Sequence, residues 1–195
     1  MSPGATARVA RAAASALTYD VVAAPIGRLI VASDGSAVAG VWMANASPSD
    51  DQWERQRGTD PVLAEARREL LAYFDGTLRE FRIPLAPNGT EFQRRVWTAL
   101  THIPYGTTIS YADLARRLGN LTAVRAVGAA NGRNPISIIA PCHRILGSGG
   151  KLTGFAGGLA AKQYLLGLEG RKTPPLRDGR TVQEENRSRW LAAGA

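Results

Sequence analysis

Three short apolar segments form the first regular pattern along the chain. Residues 19–24, 28–32 and 37–43 are rich in Val, Ile and Ala, and turn residues separate them at 25–27 and 34–35. Short apolar segments joined by tight turns are typical of consecutive antiparallel strands. We therefore predict a three-stranded antiparallel meander.

A helix is predicted after a polar loop over residues 44–59. Its apolar face would consist of residues three to four positions apart, namely Leu63, Ala66, Leu70 and Phe74. Asp60 suits the N-cap, Pro61 suits the first helical position, and Gly76 suits the stop. The first part of the chain is thus predicted to be a small sheet plus a helix.

Residues 81–89 contain two prolines and an Asn-Gly pair, which are typical of a linker. We place a domain boundary there, with one domain over residues 18–87 and a second over residues 88–170. A disordered arm over residues 1–17 and a charged tail over residues 171–195 are expected to flank them. The predicted fold class is α+β.

Capping signals predict three helices at the start of the second domain. Thr90 with Gln93 and Ser110 with Asp113 have the spacing of capping boxes, and Thr122 is expected to cap the third helix. The second and third helices are joined by a short glycine-containing connection, as in a helix-turn-helix. A plain helical hairpin is the alternative.

The charge of the chain is distributed unevenly along its 195 residues. Its formal net charge is +8, of which residues 1–87 contribute −1, residues 88–170 contribute +6 and residues 171–195 contribute +3. A nearly neutral first part followed by a basic second part indicates that the second domain faces a polyanion.

Several classes of protein are disfavoured by composition. The longest apolar stretch, residues 37–44, is less than half of the roughly 20 residues that a membrane-spanning helix needs, so we expect no such helix. Cys142 is the only cysteine and cannot form an internal disulfide, which suits a reducing cytoplasm. Since a zinc site would need nearly all of Cys142, His102 and His143, we expect no metal site. No other cofactor is expected either.

The residues around Cys142 are the strongest candidates for chemistry. Residues 136–140 are apolar and β-prone, so we predict a buried strand that presents Cys142 at its end. Because His143 and Arg144 follow, they are expected to lower the pKa of the thiol. Cys142 is thus the candidate nucleophile, His143 its base, and Glu169 the acid that orients the base. A buried inert cysteine and a solvated Glu169 near a helix C-terminus are the alternatives.

Two glycine-containing segments allow more than one interpretation. Residues 147–151 resemble a phosphate-binding loop, but no Ser or Thr follows Lys151, so we predict a flexible turn. The third helix has small residues around one arginine, on a face formed by Arg125, Gly128, Ala129 and Gly132. Such a face suits insertion into a groove, and close packing on another helix is the alternative.

The motifs taken together resemble the O6-alkylguanine-DNA alkyltransferase (methylated-DNA–protein-cysteine methyltransferase) family. They are Pro141-Cys142-His143-Arg144, the preceding Asn134-Pro135, Tyr111, Arg125 and Gly157-Gly158. The resemblance is nearly continuous over residues 90–170, whereas residues 18–87 match only in the layout of strands and helix. It implies a ribonuclease-H-like N-terminal domain and a winged helix-turn-helix domain that binds DNA and holds the nucleophile.

The resemblance also implies a role for each motif residue. Cys142 would accept the alkyl group after activation through a water molecule by His143 and Glu169. Asn134 would be the hinge between the recognition helix and the active-site strand. Tyr111 would donate a proton to the departing guanine.

Further residues would contact DNA or the extruded base. Arg125 would fill the stack that the flipped nucleotide leaves. The other expected DNA contacts are Asn120, Ala123, Gly128, Ala129 and Ser148. The expected substrate-pocket loop consists of Phe155, Ala156, Gly157 and Gly158.

The implied reaction is direct reversal of damage in duplex DNA. The alkyl group of O6-alkylguanine, and also of O4-alkylthymine, would pass to Cys142 irreversibly, because a thioether has no carbonyl for water to attack. We expect a monomer, with clustering on DNA left open, and no membrane partner. A cysteine hydrolase, a damage sensor that lacks the cysteine and a transcription regulator are the alternatives.

Overall fold

The computed structural model describes residues 17–43 and 55–171 of this chain. The predicted arm and tail, apart from Leu17 and Arg171, and most of the loop predicted over residues 44–59 lie outside these described residues. Within the described part, no helix is both long enough and apolar enough to cross a membrane.

The N-terminal sheet is the antiparallel meander that the apolar segments predict. Its strands are β1 (Thr18–Ala24), β2 (Gly27–Ser33) and β3 (Val38–Met43), in that spatial order. Gly27 has a φ of 113°, which a residue with a side chain rarely adopts, so a glycine suits the tight turn between β1 and β2. The α+β fold class is also confirmed by the helices described next.

Helix α1 (Pro61–Phe74) packs against this sheet. The side chain of Asp60 accepts a hydrogen bond from the backbone N of Leu63 at 2.8 Å, so Asp60 is the N-cap as predicted. Leu63, Ala66 and Leu70 are at most 1% exposed and belong to the same hydrophobic cluster as the sheet. The helical spacing of the apolar residues therefore reflects burial of one face.

The segment predicted as a linker lies along the outer edge of β3. Val38 donates its N–H to Pro84 O and accepts from Ala86 N, each at 2.9 Å. Farther along the same strand, Val41 pairs with Ile136 in an isolated bridge. The edge of β3 is therefore covered by backbone from both predicted domains, and one hydrophobic cluster includes residues of both.

The remaining α-helices and strands of the described residues follow residue 89. They are helices α2 (Glu91–Thr101), α3 (Tyr111–Arg117), α4 (Val124–Gly132) and α5 (Leu159–Leu168), and the parallel strands β4 (Ile109–Ser110) and β5 (Ile145–Leu146). Both capping boxes form: Thr90 with Gln93 at α2, and Ser110 with Asp113 at α3. Helices α3 and α4, with the small β4–β5 sheet beside them, form the winged helix-turn-helix.

The start of α4 differs from the prediction. Thr122 does not cap it, because a 3-10 turn (Leu121–Ala123) precedes the helix and Asn120 caps that turn instead. The Asn120 Oδ1 accepts from Thr122 N at 3.1 Å and from the Thr122 hydroxyl at 2.8 Å. The Thr122 hydroxyl therefore donates to Asn120 and does not cap α4. The Asn120 side chain forms a local turn with the backbone two residues on, as asparagine commonly does.

The predicted strand over residues 136–140 is also wrong. These residues are buried as expected, but only Ile136 makes a bridge and the rest form turns. Ile138 has a φ of 77°, an unusual left-handed conformation for a β-branched residue. The apolar character of the run indicated burial correctly, but it could not separate a strand from a buried turn.

Candidate active site

Asn134 fastens the turn that leads to Cys142. Its side-chain Nδ2 donates to Ala140 O at 2.7 Å, and its Oδ1 accepts from Ile136 N at 3.0 Å. Asn134 lies just after the end of α4 and is only 7% exposed. One side chain thus connects the end of α4 to the segment that leads to Cys142. It binds backbone groups at both ends of the turn, and Val41 of β3 pairs with Pro135 O and Ser137 N between them.

Cys142 begins a 3-10 turn (Cys142–Arg144) and is 5% exposed. Burial raises the pKa of this thiol above its ordinary value, although hydrogen bonding from Asn134, the charge of Lys162 and hydrogen bonding from Ser137 act in the opposite direction. The prediction that the neighbours lower the pKa is therefore wrong in its net direction. Burial favours the neutral thiol, so formation of the thiolate needs a base.

His143 is the candidate for that base. Its Nε2 lies 2.9 Å from Glu169 Oε1, and the ring is fully buried. Burial lowers the pKa of His143, so the ring is neutral near pH 7. Because an ionised carboxylate only accepts hydrogen bonds, Nε2 carries the proton and Nδ1 has a free lone pair. Nδ1 has no hydrogen-bond partner among the described residues, which leaves it to accept a proton.

Glu169 is the centre of a dense set of donors. Arg144 donates from Nη2 to Oε1 at 2.8 Å and from Nε to Oε2 at 2.9 Å. The backbone N of Gly106 binds Oε2 at 3.1 Å, and the hydroxyl of Tyr73 binds Oε1 at 2.8 Å. Burial raises the pKa of Glu169, but the hydrogen bonds from His143 and Arg144 outweigh it and lower the pKa to about 2. The solvated alternative is excluded, since Glu169 is 5% exposed and ionised.

Lys162 is a second buried charge beside the nucleophile. It is fully buried on α5, and its Nζ donates to Ile145 O and to Thr153 O, the latter at 2.7 Å. Burial lowers the pKa of Lys162 to about 8. Lys162 therefore ties β5, which follows Cys142, to the beginning of the predicted substrate-pocket loop.

Sequence reasoning missed Tyr73, Arg144 as a partner of Glu169, and Lys162. For Lys162 a signal existed, because a lysine among the buried residues Ala160, Ala161 and Leu165 is unusual and needs a partner. For Tyr73 none existed, since an aromatic residue on an apolar helix face is normally core.

The predicted substrate-pocket loop lies beside His143 and Tyr111. The rings of Phe155 and His143 meet edge to face with 6.4 Å between centroids. A Cβ on Gly154 would lie 3.2 Å from the Tyr111 hydroxyl, and one on Gly157 would lie 1.8 Å from Met43 Sδ. A side chain at position 157 would therefore force the Met43 side chain of β3 to move, so glycine suits this close approach of the N-terminal sheet.

The other two residues of the predicted substrate-pocket loop are Gly158 and Ala156. Gly158 has a φ of 88° and begins the turn into α5. Ala156 is exposed and lines a cleft of about 160 Å³ whose other lining residues are Trp42, Met43, Gly132, Arg133, Asn134 and Ser137. The loop, the Asn134 turn and the end of α4 therefore meet at one cleft.

The small-residue face of α4 is mostly free of packing. Arg125, Ala129 and Gly132 are exposed, and a Cβ on Gly132 would meet none of the described residues within 4 Å. A Cβ on Gly128 would lie 3.8 Å from the Tyr111 ring, which is ordinary van der Waals contact. Close packing on another helix thus does not account for this face, which leaves it open to a groove-shaped partner.

The remaining predicted DNA contacts are Asn120, Ala123 and Ser148. Asn120 is exposed in the turn before α4, Ala123 is half-buried directly at its start, and Ser148 is exposed in a glycine-rich 3-10 turn (Ser148–Gly150).

The other histidine, His102, ends α2 and is exposed. His143 is therefore the histidine that the fold brings to Cys142 and Glu169.

Comparisons with known proteins agree with this arrangement. Residues 17–87 match the family model for the ribonuclease-like domain of 6-O-methylguanine DNA methyltransferase, and residues 91–171 match the model for its DNA-binding domain. The methylated-DNA–protein-cysteine methyltransferase of Methanosarcina acetivorans is 46% identical over 152 residues, which are 78% of this chain and 97% of that protein. The protein of the same name from Mycolicibacterium paratuberculosis is 48% identical over 161 residues, covering 81% and 95%.

A solved structure gives the same result in three dimensions. Mycobacterium tuberculosis OGT in complex with DNA superposes with a TM-score of 0.70 and 45% identity, covering 78% of this chain and 92% of that one. The two family models together span most of the chain, and the relatives match along nearly their whole length. The chain therefore belongs to the 6-O-methylguanine DNA methyltransferase family.

Proposed function

We propose that this protein repairs O6-alkylguanine in duplex DNA by moving the alkyl group to Cys142. The observation that carries the proposal is the burial of Cys142, His143 and Glu169 together, in a chain that belongs to the 6-O-methylguanine DNA methyltransferase family. Burial disfavours the thiolate, and a neutral His143 with a free Nδ1 supplies the base that the reaction needs.

The chemical step is a displacement at the alkyl carbon. The proton of the Cys142 thiol passes to Nδ1 of His143, through a water molecule as the family resemblance implies, and Glu169 stabilises the imidazolium. The thiolate Sγ then attacks the alkyl carbon, the C–O bond to guanine breaks, and its electron pair stays with the guanine. Tyr111 supplies the proton that the departing guanine takes up.

The reaction ends with the protein consumed. The product is a thioether, which has no carbonyl that water could attack, and the chain has no second cysteine to displace it. A cysteine hydrolase would use the same two residues, Cys142 and His143, but each molecule would process many substrate molecules. This difference separates the two candidate functions experimentally.

Excess duplex DNA containing O6-methylguanine should be repaired only up to the amount of protein present. We expect the count of restored guanines to reach one per protein molecule and then stay constant, because each Cys142 reacts once. The measurement is digestion of the DNA and quantification of O6-methylguanine against time, with an unmodified duplex as control. Repair that continues well beyond this ratio would identify a turnover enzyme.

DNA binding is assigned to the helix-turn-helix. A base inside a duplex hides its O6 atom, so the target nucleotide has to be flipped out before Cys142 can reach it. The exposed face of α4 with Arg125 suits insertion into a groove. Further DNA contacts would come from Gly128 and Ala129 on the same helix, from Asn120 and Ala123 just before it, and from Ser148 in the later glycine-rich turn. Phe155, Ala156, Gly157 and Gly158 would line the pocket for the extruded base.

Replacing Arg125 by Ala should slow repair in duplex DNA by about tenfold or more, since unstacking a base costs a few kcal/mol and Arg125 would fill the gap. The reaction with free O6-benzylguanine should change little, because no gap forms there. Single-turnover rates on both substrates test this expectation. The matched control is Arg68→Ala, which removes one exposed arginine from α1. Equal losses on both substrates would argue against the role of Arg125.

A second substrate, a cellular location and an oligomeric state are part of the proposed function. O4-alkylthymine presents the same bond between an alkyl carbon and an exocyclic oxygen, so we include it as a second substrate. A chain with one cysteine suits a reducing cytoplasm, where the protein would join the nucleoid when it binds DNA. We propose that it acts as a monomer that can cluster on DNA.

A further inference from the structure

We propose that Tyr73 is a positioning residue of this active site, whose hydroxyl holds Oε1 of Glu169 and thereby sets how strongly that carboxylate binds His143. Tyr73 belongs to α1, in the part of the chain that matches the ribonuclease-like domain. The inference rests on the proposed function, in which His143 is the base for Cys142. It gives the N-terminal half an indirect part in the reaction, through Glu169 and His143.

The geometry places donors from three side chains on one oxygen. Oε1 of Glu169 accepts from the Tyr73 hydroxyl at 2.8 Å, from His143 Nε2 at 2.9 Å and from Arg144 Nη2 at 2.8 Å. The Tyr73 oxygen is also 3.5 Å from His143 Nε2. Tyr73 and His143 therefore compete for the same negative charge, which makes the tyrosine a modulator of the pair.

The tyrosine always takes part as a donor. Its side chain is fully buried, and burial together with the charge of Glu169 raises its pKa far above the physiological range. A neutral hydroxyl facing an ionised carboxylate donates its proton. The Tyr73 ring is packed separately, against Phe74, Phe81 and Tyr105. Loss of the hydroxyl alone can therefore be tested with the ring retained.

Replacing Tyr73 by Phe should make His143 more basic. Without the hydroxyl, more of the negative charge on Oε1 faces Nε2, which stabilises the imidazolium. We expect the pKa of His143 to rise by about half a unit, in keeping with the modest net strength of a single hydrogen bond. The other charged or titratable groups that face the pair stay in place; they are Arg144, Lys162, Cys142 and Tyr105, with Arg79 over the Tyr105 ring.

The chain is well suited to a direct measurement. It has only two histidines, so nitrogen-correlated NMR spectra of the imidazoles contain one signal set from buried His143 and one from exposed His102. His102 serves as an internal reference in every sample. The matched control variant is Tyr105→Phe, which removes a hydroxyl that binds Leu168 O at 2.9 Å and not the carboxylate.

The expected result is an upward shift of the His143 titration in Tyr73→Phe, with His102 and the Tyr105→Phe variant unchanged. The pH at which transfer from free O6-benzylguanine reaches half its maximal rate should rise with it, because the reaction needs neutral His143. The contradicting result is a Tyr73→Phe variant that has a lower melting temperature but keeps the His143 titration midpoint and the pH of half-maximal rate at the values of the natural protein. In that case Tyr73 contributes only packing, and the proposal is wrong. The NMR titration decides this even if Cys142 accepts no alkyl group, so the two proposals can fail separately.

Discussion

The Glu169→Gln variant should transfer an alkyl group about a hundredfold more slowly than the natural protein, and it should also be less stable. A neutral amide cannot stabilise the His143 imidazolium as a carboxylate does, and positioned acid–base groups contribute about 10²–10⁴-fold to rates. The change also leaves Arg144 buried without its charged partner. Breaking a buried ion pair from one side costs about 3–5 kcal/mol.

The pH dependence of stability should change in the same variant. The pKa of Glu169 is lowered from its ordinary value of 4.5 to about 2 in the folded protein. The stabilisation by its ionised form is therefore fully present above pH 4.5 and is lost as the pH falls toward 2. Glu169→Gln should flatten this part of the curve, because the glutamine does not titrate.

Both effects can be measured on one set of samples. Single-turnover rates with O6-benzylguanine, taken well below the melting temperature of the variant, report the chemistry, and urea unfolding between pH 2 and pH 7 reports stability. Glu65→Gln is the matched control, because Glu65 forms an exposed ion pair with Arg68 on α1. An unchanged rate at every pH would remove Glu169 from the mechanism.

The position of Glu169 also shows what sequence reasoning could not supply. Near the end of α5, an acid opposes the helix dipole, which alone would make its replacement neutral or slightly stabilising. In the structure, replacement of Glu169 is instead expected to be destabilising, because it is buried and bound by partners from elsewhere in the chain. Tyr73, for example, is 96 residues away in sequence.

Features set by neighbouring residues were predictable. The turns between β1, β2 and β3 and the caps at Asp60, Thr90 and Ser110 depend on a few adjacent positions, and the structure has them where expected. The strand predicted over residues 136–140 does not continue past the bridge of Ile136 with Val41, because the chain turns there. The Asn134 side chain binds Ile136 N and Ala140 O and so holds the turn, which no local apolar pattern indicates.

In the candidate site too, features set by neighbouring residues were predictable and features set by distant packing were not. Cys142 and His143 were identified from their local motif, but the pKa of Cys142 was given the wrong direction. Its burial depends on a hydrophobic cluster that includes residues distant in sequence, such as Val41 of β3 and Leu70 of α1. Local charges argued for a lowered pKa, and the packing of the whole chain outweighs them.

Cys142→Ser should abolish alkyl transfer altogether. A serine hydroxyl is a far weaker acid than a thiol, so the neutral His143 cannot generate the alkoxide in useful amounts. Since Cys142 is the only cysteine, no other thiol in the chain can take over. The variant should still bind duplex DNA, because the exposed face of α4 is untouched.

The central claim is that Cys142 itself becomes the permanent carrier of the alkyl group. Mass spectrometry of the intact protein after incubation with excess duplex containing O6-methylguanine tests it directly. We predict a gain of one methyl group, about 14 Da, on every molecule, located on Cys142 by peptide mapping and missing in Cys142→Ser. Repair of the DNA without any gain in protein mass, or the same gain in Cys142→Ser, would contradict the account.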